Sequence, residues 1–60
     1  MPAIRFLRHD PDAERIDVIN ADLTREALGD DLFDRLVEQV AEYRSYAVAF
    51  RGYVFEAHRN

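Results

Sequence analysis

Two kinds of hydrophobic spacing divide the chain. Residues 3–8 (Ala-Ile-Arg-Phe-Leu-Arg) alternate apolar and charged positions, with Ile4 and Phe6 on one side and Arg5 on the other. Leu7 breaks the alternation, but the period of two still predicts a short strand. Pro2 suits the first residue of such a strand. Residues 14–20 alternate again, placing Ile16 and Val18 opposite Arg15, Asp17 and Ile19, and predict a second strand. Between them, His9-Asp10-Pro11-Asp12 has turn chemistry. Pro11 disfavours helical geometry at Asp10, and the aspartates can bond to nearby backbone.

From residue 22 the period becomes helical. Leu32, Phe33, Leu36, Val37, Val40 and Ala41 fall on one wide stripe, which predicts a helix over about 31–44. Asp22 and Thr24 are candidate caps for a start near residue 23, and Gly29 is either a helix end or a weak point. The remaining chain is a hairpin. Residues 45–51 and 53–59 flank Arg51-Gly52, a two-residue loop suited to a tight turn. That turn would pair Phe50 with Tyr53, Ala49 with Val54, Val48 with Phe55 and Ala47 with Glu56.

The expected architecture is α+β in ββαββ order: a small antiparallel sheet with one helix on one face, in a single domain spanning 1–60. One helix cannot cover four strands. An apolar sheet surface would stay open, and a second copy or another protein is the simplest cover. Length points the same way. A chain of 60 residues buries only about 60% of its unfolded surface, so self-association, most simply as a dimer, is a natural supplement.

Composition removes several classes of function. There is no Cys, hence no disulfide framework, redox pair or thiolate zinc site. No stretch is long and apolar enough for a membrane span, and residues 1–10 lack a signal-peptide core; a cytoplasmic location is expected. Two glycines leave little room for a phosphate-cradling loop, so no cofactor is expected.

Charge is uneven. The net −4 averages an acidic middle, −8 over residues 10–42, with +2 at each end. Within the helix Asp30, Asp34, Glu38 and Glu42 recur every four residues as a carboxylate stripe. A solvated helix face is the plain reading. The functional one is a surface for a basic macromolecular partner, as in a small inhibitor or regulatory accessory protein. Tyr43 and Tyr46, at the junction of helix and hairpin, extend that candidate surface, because Tyr is common at interfaces. An alternative uses Arg5, Arg51, Phe50 and Tyr53 as a sheet-based nucleic-acid platform. It runs against the overall acidity and the need for aromatics in a small core.

Two weaker constellations complete the candidates. Ser45, Glu56 and His58 fall on one side of the hairpin, yet a flat strand surface offers neither pocket nor oxyanion hole. His9, Asp10, Asp12 and Glu14 form an oxygen-rich turn with too few ligands for calcium. The chain is therefore expected to be non-enzymatic and metal-free.

Overall fold

A computed structural model describes residues 3–60. Pro2 lies outside the described residues. The elements are β1 (Ile4–Asp10), β2 (Arg15–Ile19), α1 (Ala21–Leu28), α2 (Asp30–Tyr43), β3 (Ser45–Phe50) and β4 (Tyr53–Arg59). The strands form one antiparallel sheet in the order β2-β1-β4-β3, with both helices on the same side. The α+β class holds, with two helices in place of the expected one.

The helix divides for local reasons. Asn20, rather than Asp22 or Thr24, caps α1: its side-chain oxygen accepts from the Leu23 backbone N–H at 2.8 Å. Thr24 is fully buried instead, its hydroxyl donating to the Asn20 carbonyl at 2.8 Å. Gly29 then ends α1 with φ 85° and ψ 160°, backbone geometry that is essentially reserved for glycine. Its N–H closes on the Arg25 carbonyl, and its own carbonyl accepts from Phe33 N at 3.0 Å to start α2.

β1 runs two residues past its expected end. His9 pairs with Ile16 and Asp10 with Arg15, so the turn shrinks to residues 11–14. The extended backbone that Pro11 imposes on Asp10 is strand geometry, so the same residue that forbids helix prolongs the sheet. Asp10 still serves the turn, its Oδ1 accepting from Ala13 N at 3.3 Å. At the other hairpin, Arg51 and Gly52 have φ of 50° and 84°. Two positive values match a tight primed turn, and the β3–β4 register is the one the loop length implies.

The core lies between the helices and one sheet face. Phe6, Leu28, Phe33, Leu36, Val40, Phe55 and Ala57 are buried. Phe6 and Phe33 stack at 5.7 Å between ring centroids. Ala57, opposite Phe6 on β4, leaves room on the central strands for those rings. Leu32 and Val37 close the edges, while Ala41, expected on the stripe, is exposed. Arg59 ties α2 to the sheet by donating from Nε to the Val40 carbonyl at 3.0 Å.

Gly29→Ala should lower stability by about 1–3 kcal/mol. No atom lies within 4 Å of the added Cβ, so the cost is one of backbone geometry alone. Urea unfolding of the two proteins checks this, and an unchanged midpoint would show that the α1–α2 junction relaxes freely.

Candidate functional site

Strand alternation assigns every sheet residue to one of two faces. Phe6, Arg8, Val48, Phe50, Phe55 and Ala57 face the helices. Arg5, Leu7, His9, Ile16, Val18, Ser45, Ala47, Ala49, Val54, Glu56 and His58 lie on the other face. Among the described residues no element covers that second face. Ile16 is 60% exposed and Val18 is 74% exposed, beside half-buried Leu7 and Val54. Open apolar surface was expected from one helix spanning too few strands. Its actual cause is that both helices sit on the same side.

At the centre of this face stands Glu56. Its Oε1 is 3.0 Å from His9 Nε2 and its Oε2 is 3.0 Å from His58 Nε2. An ionised carboxylate only accepts, so His9, whose contact has hydrogen-bond geometry, donates to Oε1, while His58 approaches Oε2 at the same distance with poorer alignment. Hydrogen bonding from His58 and then from His9 holds the Glu56 carboxyl below its ordinary value of 4.5, against the opposing effect of desolvation. Each imidazole takes a different oxygen, so the three side chains do not converge on one point. Among the described residues no group of three His, Asp or Glu is placed to hold a metal ion.

Ser45 does lie opposite His58 in the ladder, but His58 is engaged by Glu56. Among the described residues Ser45 makes no side-chain hydrogen bond, and two cavities of the molecule are lined by other residues. The larger, about 440 Å³, is an open hollow beside the β1–β2 turn, bounded by His9, Glu14, Ile16 and Val54.

The carboxylate stripe is as the spacing implies. Asp30, Asp34, Glu38 and Glu42 are all exposed along α2. Asp30 lies 3.9 Å from Arg25. Among the described residues Asp34, Glu38 and Glu42 form no ion pair, and Asp31 does not close on Arg35. Tyr43 is 64% and Tyr46 is 38% exposed. Both stand where α2 passes into β3, so Glu42 and the two rings mark one end of the molecule.

The nucleic-acid set is divided. Arg5 is on the open face, whereas Phe50 and Tyr53 point to the helix side at the tip of the β3–β4 hairpin. There the Arg51 guanidinium lies 5.1 Å from the Phe50 ring centre, and Arg8 lies 5.3 Å from that of Tyr53. These residues, with Ala27 and Phe55, line a cleft of about 180 Å³. Arg8, on the helix side of β1, joins Arg51, Phe50 and Tyr53 here, where Arg5 does not. Its Nη2 reaches Asp17 at 3.3 Å, while its buried Nε has no partner.

No protein-family model, curated protein or solved structure matches this chain. No helix among the described residues is long and apolar enough to cross a membrane.

The lowered carboxyl of Glu56 sets a direction for pH dependence. Its contribution to stability is complete above 4.5 and is lost as pH falls through the lower folded-state value. Glu56→Gln should therefore unfold more easily at pH 7 and lose less stability on acidification below 4.5. Urea titrations across that range test it, and parallel curves for the two proteins would discount the network.

Proposed function

We propose that the protein is a small non-enzymatic protein-interaction module that meets a basic macromolecular partner through the acidic face of α2. One observation supports this reading most directly: Asp34, Glu38 and Glu42 line a 14-residue helix, exposed, with no cation paired to them among the described residues. Carboxylates that make no ion pair among the described residues keep their charge available for a complementary surface. The helix is anchored through Phe33, Leu36 and Val40, so the charges are presented in fixed spacing. Tyr43 and Tyr46 add amphipathic contact area at one end, where charge gives way to rings. An inhibitor or regulatory accessory protein would act by occupying a basic groove on its target.

Asp34→Arg combined with Glu38→Arg should leave folding intact, since both positions are exposed, and weaken partner binding by about ten-fold or more. Affinity capture from source cells, with wild type and variant at low and high salt, checks this. Partners retained equally by both proteins, or insensitive to salt, would remove the acidic face from consideration.

A second reading rests on the hairpin-tip cleft, where Arg8 and Arg51 flank Tyr53 and Phe50. Arginine beside aromatic rings is the chemistry of base stacking on single strands. A low-salt gel shift with single-stranded oligonucleotides, comparing wild type with Arg51→Ala/Tyr53→Ala, tests it. A shift should be seen and then lost in the variant, and the absence of any shift would end this reading.

A further inference from the structure

We infer that two copies of this chain pack through the helix-free faces of their sheets, with the acidic helices turned outward. This does not depend on the partner proposed for α2.

The face is built to be covered. Ile16 and Val18 present branched apolar side chains to solvent from an ordered strand, and Leu7, Val54, Ala47 and Ala49 continue the surface across the sheet. Its central acid is already partnered, because each oxygen of Glu56 has a histidine of the same chain 3.0 Å away. Such a group can lose its water with less loss than an unpaired carboxylate.

Charge selects the occupant and its orientation. Among the described strand residues Arg5 and Glu56 are the only Arg, Asp or Glu that alternation puts on the open face, and Glu14 and Arg15 balance each other at its β1–β2 rim, so a second copy meets no net repulsion. The helix side differs: α1 and α2 hold seven carboxylates and two arginines. Two copies meeting there would set like charges together. Packed sheet to sheet, their helix layers stand roughly 30 Å apart, given a ~10 Å sheet spacing and helices ~10 Å thick. That is well beyond the ~8 Å screening length of physiological salt.

Area sets the strength. Four strands ~4.8 Å apart, each about six residues long at ~3.4 Å per residue, give the uncovered face a footprint of roughly 400 Å² per copy. Covering it in both copies buries about 800 Å², below the ~1,200 Å² at which stable specific interfaces begin, so the dimer is weak and concentration-dependent.

Sedimentation equilibrium of the full chain from about 10 µM to about 1 mM spans the range for an interface this small. The average mass should rise from 7.0 kDa toward twice that value. Val18→Asp should raise the dissociation constant at least ten-fold, and the shape-conserving Val18→Thr should raise it by a smaller factor, both with unchanged circular dichroism. Isotope-filtered NMR of a mixed labelled sample should give contacts from Ile16 and Val18 to Val54 of the second copy. A constant monomer mass at the highest concentration would overturn the inference. So would equal association of wild type and Val18→Asp, or intermolecular contacts confined to the edge of β3.

Discussion

The pairing of β1 with β4 governs the rest of the structure. The two hairpins are local and each can be specified by its own turn, but neither alone defines a core. Antiparallel contact from Ile4↔Arg59 to His9↔Val54 joins them into one sheet. It sets Phe6 beside Ala57 and under Phe33, giving the helices a surface to pack on. The same register carries His9 to within 3.0 Å of Glu56 on the opposite face. A slip of one residue would send Phe6 to the solvent side and withdraw His9 from the carboxylate, so core and surface network depend on one alignment.

The helices illustrate how a short chain makes layers. A single continuous helix from residue 21 to 43 would run about 35 Å at 1.5 Å per residue, longer than the molecule's greatest extent of 33 Å. Breaking it at Gly29 folds that length into two pieces that both bury residues: Thr24 and Leu28 from α1, Phe33, Leu36 and Val40 from α2. The consequence is asymmetric. All helical cover goes to one face, and the other keeps Ile16 and Val18 in water.

What could be read from the residues follows from how far each determinant reaches. Arg51-Gly52 fixes its hairpin register within a few residues, and the i,i+4 recurrence of Asp30, Asp34, Glu38 and Glu42 is a property of one helix. Both were legible. The break at Gly29 was visible as a residue type, but whether it bends, ends or merely weakens a helix depends on φ and ψ. Asn20 was hidden because Asp22 and Thr24 cap equally well until the start of α1 is known. The His9–Glu56 contact was out of reach. It requires the β1–β4 register, which is set by packing of residues far apart in the chain, and no local pattern encodes it. The division of Arg5 from Arg51, Phe50 and Tyr53 came from the same source, since face assignment in β1 relative to β4 is a tertiary matter.

The position of β1 and β4 at the centre of the sheet also carries a kinetic meaning. Ile4 lies opposite Arg59, so the central ladder joins residues 55 positions apart in sequence. Hairpins form in roughly microseconds, whereas contacts of long sequence separation must first meet the entropy of closing a large loop. For this fold the slow event is then the meeting of β1 with β4, with both hairpins and α2 free to fluctuate into shape beforehand. A protein organised this way gains its core and both of its faces in one late step.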